Sequence, residues 1–132
     1  MLLIDLNQVL ISNIMQQINS DPKMKIEENL VRHIVLNSLR SYSKQFKSKY
    51  GEIVICCDNK KYWRRDVFPF YKVHRKRDRE KSDLDWNAIF ESLNKIRDEL
   101  KQYFPHKVIE VEGAEADDII AVLTTRFALH ED

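Results

Sequence analysis

Glycine is scarce in this sequence: Gly51 and Gly113 are the only two in 132 residues, each standing alone. With so little glycine there is neither a G-x-x-x-x-G-K-[ST] loop nor a G-x-G-x-x-G turn, which excludes the common phosphate-cradling fingerprints. No apolar run approaches the roughly 20 residues that span a bilayer. The N-terminal MLLIDLNQVLIS has no basic flank and carries Asp5 inside its apolar stretch, unlike a secretory signal. The two cysteines, Cys56 and Cys57, are adjacent on a predicted strand, so their side chains point to opposite faces. Two buried small hydrophobes in a reducing cytoplasm are favoured over a disulfide or a vicinal redox pair. His33, His74, His106 and His130 form no metal-ligand spacing, although His74 lies where it could touch phosphate. Repeats and low-complexity tracts are absent.

What is present suffices for one folded domain. Hydrophobic residues make up 43% and charged residues 33%, a balance that buries a core. The formal net charge of +1 hides a segregation. Between Lys60 and Lys81 ten basic residues face three acidic ones, whereas the rest of the chain is net acidic. Such a patch is either a solvated charge run or the footprint of a polyanionic partner.

Leu2 to Leu6 reads as a short strand, followed by helical spacing at Val9, Leu10, Ile14 and Ile18. After the Asn19–Pro22 break, a long amphipathic helix is predicted from Ile26 to about Lys49, and a second strand from Ile53 to Cys57. The basic segment, interrupted by Pro69, is an exposed and partly helical excursion. Ser82 and Asp85 fit a capping pattern for a helix from about Asp83 to Tyr103. A third strand over Lys107–Val111, a turn at Gly113 and a helix over Glu115–Leu129 complete the order. Strands alternating with helices predict an α/β fold with a parallel sheet.

In such a sheet ligands bind beyond the carboxyl ends of the strands. Asp5, Asp58 and the group Glu115, Asp117 and Asp118 all fall there. All but Asp5 have a plainer explanation: a helix N-terminus suits the last three, and a turn suits Asp58. Asp5 resists one, because an acid within LLIDL is costly to bury unpaired. Together they favour a metal site. Lacking nitrogen and sulfur donors, it suits magnesium or manganese over zinc. Glu110 and Glu112 read as a solvated strand end.

Carboxylate-held divalent ions beside a cationic surface suit phosphodiester hydrolysis. Tyr62, Trp63, Phe68, Phe70 and Tyr71 interleave with the cations, a pattern for stacking bases while Lys and Arg track phosphates. Some of these aromatics are equally suited to pack the excursion onto the domain.

The stretches LLIDLNQ, ICCDNKKYWRRD, FYKVHRKR and EGAEADDIIAVL resemble, in this order, the 5′-nuclease superfamily that contains flap endonucleases. Within it the likeness is greatest to the ribonuclease H (5′-3′ exonuclease) group of T-even-type bacteriophages. The resemblance implies a PIN-like three-layer α/β fold with a central parallel sheet and a basic helical arch at about residues 60–82. It further implies two magnesium sites, with manganese as a substitute, held by Asp5, Asp58, Glu115, Asp117 and Asp118. Lys72 and Arg75, with Tyr71, would orient the 5′ strand and its scissile phosphate. Arg64, Arg65, Lys76 and Arg77 would add nucleic-acid contacts.

The implied role is removal of RNA primers and 5′ flaps in replication, in the cytoplasm (a host's, if phage-encoded). The implied partners are DNA and RNA–DNA hybrids with 5′ single-strand ends, a single-strand DNA-binding protein and a sliding clamp, with no membrane involved. Residues 1–132 correspond to the N-terminal part of that domain, and the family's later strands and helix-hairpin-helix region are expected to lie outside it. Two other readings stay open: a nucleic-acid-binding module without hydrolysis, and a small PIN-type ribonuclease complete in itself.

Overall fold

The computed structural model describes residues 1–23, 25–82 and 84–127. Strand β1 (Leu2–Asp5) runs directly into α1 (Leu6–Ser20), and α2 (Glu28–Tyr50) leads to β2 (Ile53–Cys57). Two short helices follow, α3 (Trp63–Val67) and α4 (Val73–Lys81), then α5 (Trp86–Tyr103), β3 (Lys107–Glu110) and α6 (Ala116–Phe127). The sheet is parallel with order β1-β2-β3; Asp5 pairs with Cys56 and Cys57 with Glu110 at its carboxyl edge.

Alternation along β2 builds the layers. Ile53, Ile55 and Cys57 join Ile4 and the apolar faces of α1, α2 and α5 in the larger core. Val54 and Cys56 turn the other way and pack with Ala116 and Ile119 of α6. The sheet is thus sandwiched between helices, the three-layer arrangement that the resemblance implies. The two cysteines do lie on opposite faces, free and buried. Burial pushes their thiols up, to about 11 for Cys56 and about 12 for Cys57. Across the larger core the Arg32 guanidinium of α2 forks onto Glu99 of α5 at 3.0 and 2.7 Å.

Several boundaries differ from expectation by a residue or more, two of them because an aspartate caps a helix. Leu6 opens α1 instead of ending β1, since Asp5 Oδ1 accepts the Gln8 N–H at 3.2 Å. Helix α5 starts at Trp86 with Asp85 as its cap, accepting from Ala88 N at 3.1 Å. Ser82 instead accepts from Leu84 N in a local turn, and Asp83, the expected first residue, is outside the described residues. The expected end of the last helix at Leu129 also lies outside them. Glu110 is no solvated strand end: Arg97 Nη1 sits 2.8 Å from its Oε2, and Asn59 Nδ2 donates to its Oε1 at 3.1 Å. Among the described residues no helix is long and apolar enough to cross a membrane.

Candidate metal and nucleic-acid site

After β2 the chain adheres to the loop between β3 and α6. Asn59 N donates to Ala114 O at 3.1 Å, and Trp63 N to Gly113 O at 2.8 Å. Gly113 takes φ +84°, which a side chain would resist, and so the loop can turn there. This docking starts α3 at the sheet edge and projects α3 and α4 over it as an arch. No residue of either helix is buried, and Val67 and Phe70 are 76% and 72% exposed. Phe68 and Phe70 meet edge to face with ring centroids 5.8 Å apart.

Between arch and sheet edge lies a cleft of about 780 Å³. Asp5, Asp58, Glu115 and Asp117 line it from the sheet side, and Arg65, Tyr71, Lys72 and Arg75 from the arch. Residues that sequence reasoning left unassigned join them, among them Asn7, Arg79, Asn94 and Arg97. Helical spacing was the available signal for Arg79, because Lys72, Arg75 and Arg79 recur at three- and four-residue steps along one face. Lys76 and Arg77 are both exposed on α4 outside the cleft lining. His74 is likewise exposed outside it.

Asp58 is fixed at the end of β2 by two donors. Asn7 Nδ2 reaches its Oδ2 at 2.9 Å, and the Ala116 N–H at the start of α6 reaches its Oδ1 at 2.6 Å. Asp5 carries the electrostatic cost of the site. Burial raises its pKa above the ordinary 3.8, and the charges of Asp58 and Asp117 push the same way, against the Gln8 N–H and Lys72.

Glu115 and Asp118 have found cations within the chain. Glu115, 3% exposed, accepts from Arg64 Nη1 at 3.0 Å and from Lys72 Nζ at 2.6 Å. Burial alone would raise its pKa, but Lys72, Tyr71 and Arg64 overcome that and hold it below the ordinary range. Asp118 takes both ends of the Arg64 guanidinium, at 2.6 and 3.0 Å, and accepts the Glu115 N–H at 3.0 Å. Arg64 is the chief cause of its lowered pKa. Arg64 therefore faces carboxylates, and its own pKa is raised chiefly by Asp118.

The donor set suits a hard divalent cation at Asp5, Asp58 and Asp117, whose mutual repulsion such an ion would relieve. Each Asp58 oxygen accepts one N–H and keeps a lone pair for a ligand. A closed cage is not formed: among the described residues no three His, Cys, Asp or Glu side chains converge to hold an ion.

Fold and site together define an α/β protein with an acidic sheet edge beneath a basic, aromatic arch. A family model, the 5′-3′ exonuclease N-terminal resolvase-like domain, matches residues 1–132, and the chain belongs to that family. It is 45% identical over 130 residues to the ribonuclease H of Enterobacteria phage T4, covering 96% of this chain and 42% of that protein. A solved structure of T5 5′-exonuclease, described with divalent metal ions (zinc) bound, matches with a TM-score of 0.63 at 19% identity. That match covers 98% of this chain and 45% of the other, and it establishes a shared fold. The chain thus spans less than half the length of these relatives.

Proposed function

We propose that this chain is the N-terminal part of a divalent-metal-dependent 5′-3′ exonuclease and flap endonuclease. Its substrates would be RNA primers and 5′ flaps on DNA during replication, handled alongside a single-strand DNA-binding protein and a sliding clamp. The observation that carries the reading is one cleft with carboxylates on one wall and Lys72, Arg75 and Arg79 on the other. A polyanion needs the second wall, and a cation that polarises its phosphodiester needs the first.

Asp5, Asp58 and Asp117 would hold magnesium or manganese, which supplies an activated water and charge stabilisation at the leaving oxygen. Lys72 and Arg75 neutralise non-bridging phosphate oxygens and orient the 5′ strand, while Tyr71 and the exposed Phe68 and Phe70 offer faces for bases. Arg65 and Arg79 extend the cationic track along the cleft. The relationship to T4 ribonuclease H supports an RNA-containing substrate and a host-cell setting.

A binding-only reading has its own support, because all four carboxylate oxygens of Glu115 and Asp118 are engaged by Arg64 and Lys72. The test is to incubate the purified chain with a labelled 5′-flap substrate and magnesium. Salt-dependent binding with weak or no cleavage is expected of this portion. Robust cleavage abolished by Asp58→Asn would remove the binding-only reading. Affinity indifferent to salt and unchanged by Lys72→Ala and Arg75→Ala would overturn the arch assignment altogether.

A further inference from the structure

We propose that Glu115 is a positioning residue that withholds Lys72 from phosphate until a divalent cation takes its carboxylate, so that cation and single-strand binding reinforce one another. This rests on the reading of the cleft as a nucleic-acid site.

Lys72 is the cleft-lining cation of the arch least able to serve a phosphate as it stands. Its ammonium is 2.6 Å from Glu115 Oε2, and that carboxylate is almost fully buried. Its backbone is also held in an unfavourable place. With φ 58° and ψ 17°, Lys72 is the one non-glycine residue at positive φ among those described. It sits at the N-cap of α4 with no side-chain capping bond. A long side chain keeps such a conformation only where other contacts over-determine it, and the pair with Glu115 is the strongest contact it has.

The two cations on Glu115 are not held alike. Arg64 has a second anchor in the bidentate grip on Asp118, and its guanidinium also lies 4.5 Å from the centre of the Trp63 ring. Lys72 has Glu115 and the Tyr71 side chain, whose ring centre lies 5.1 Å from its ammonium and whose polar end also favours its charged form. Loss of Glu115 therefore frees Lys72 and leaves Arg64 in place.

Glu115 lines the same cleft as Asp5, Asp58 and Asp117, the acids that a divalent ion would occupy. Such an ion attracts the Glu115 carboxylate more strongly than a single ammonium does, and it repels that ammonium. Lys72, already in the cleft lining, is then available to a phosphate. By linkage, whatever tightening the cation gives the strand, the strand returns to the cation.

The experiment uses the whole 132-residue chain. Fluorescence anisotropy reads affinity for a 5′-phosphorylated, phosphorothioate-linked single strand, in EDTA and in magnesium at matched ionic strength. Magnesium is expected to tighten the wild type about 10-fold, within the usual range for coupled sites. Glu115→Gln should bind in EDTA about as tightly as wild type does in magnesium, and gain less than about twofold from the ion. Lys72→Ala should stay weak in both.

Equal tightening of wild type and Lys72→Ala overturns the proposal, as does a Glu115→Gln protein no tighter than wild type in EDTA. Should that variant misfold, hydrogen exchange on the wild type decides: magnesium must speed exchange over Val73–Lys81 and leave Trp63–Val67 unchanged, and identical exchange overturns the proposal. Salt-dependent binding that needs Arg75 yet ignores magnesium and Glu115→Gln overturns the latch alone. No binding by any variant in either condition overturns the latch together with the reading of the cleft.

Discussion

The Arg64 guanidinium closes on both carboxylate oxygens of Asp118, with Nη2 2.6 Å from Oδ1 and Nη1 3.0 Å from Oδ2. This fork ties α3, the foot of the arch, to the first turn of α6 on the sheet. With the Lys72–Glu115 pair it is what ties the arch to the sheet through side chains, since α3 and α4 bury no residue of their own.

Breaking that fork should loosen the arch before it unfolds the domain. Asp118→Asn and Arg64→Ala are each expected to raise the rate of proteolytic nicking between Trp63 and Lys81 by roughly 10-fold, as local opening becomes easier. Arg64→Lys should recover little, because an ammonium cannot fork onto two oxygens. Limited proteolysis followed by mass spectrometry reads the cut positions. Combining Arg64→Ala with Asp118→Asn should add nothing to either alone; fully additive effects would show that the two residues act separately.

Stability should respond to pH through two opposed groups of acids. Folding lowers the pKa of Glu115 and Asp118, so the stability they supply is complete above their ordinary values of 4.5 and 3.8 and drains away as pH falls through them. Asp5 works the other way. Its pKa is raised on folding, so its ionised form costs stability above 3.8 and costs nothing once it is protonated in both states. Asp5→Asn is therefore expected to stabilise the chain by about 1 kcal/mol at pH 7 and by nothing near pH 3. Urea unfolding at the two pH values measures both, and an equal gain at each would exclude burial of charge as the cause.

Four of the five cations of α4 should separate by whether they line the cleft. Arg75→Ala and Arg79→Ala each remove a cation from the cleft, and each should weaken single-strand binding and lower the salt slope by about one unit. Lys76→Ala and Arg77→Ala, outside the lining, should change affinity by less than about twofold. An anisotropy titration against salt distinguishes the pairs. Equal losses at all four positions would mean that the strand wraps the outside of the helix.

The layers were legible because their causes are local. The apolar run Ile53–Cys57 could only be a buried strand, and the spacing of Leu93, Ile96 and Leu100 could only be a helix face. That Asp5 and Asp58 fall at the ends of β1 and β2 was legible for the same reason: strand ends are local features. What sequence could not convey was how Arg64, Glu115 and Asp118 share their charges. Arg64 lies more than fifty positions from both acids, and its guanidinium could have faced solvent. Glu110 was misread likewise, since its partner Arg97 is on a different element and only packing of α5 beside β3 brings them together. Arg79 was missed through treating the excursion as a charge run instead of following its helical period.

Asp58 performs two tasks that substitution can separate. Its Oδ1 takes the Ala116 N–H at 2.6 Å and so caps α6, while the carboxylate charge faces the cleft. Asp58→Asn keeps an oxygen acceptor for that N–H, and its new NH2 can meet the Asn7 amide once that amide turns over to offer its oxygen, but it loses the charge and offers a much poorer cation ligand. Asp58→Ala loses both and leaves a helix N–H without its partner, at a cost of about 1 kcal/mol. Thermal unfolding should therefore place Asp58→Asn close to wild type and Asp58→Ala below it. Manganese binding, read by electron paramagnetic resonance of the free ion, should be lost in both. If Asp58→Asn were as unstable as Asp58→Ala, the charge and not the hydrogen bond would be what holds α6 to the end of β2.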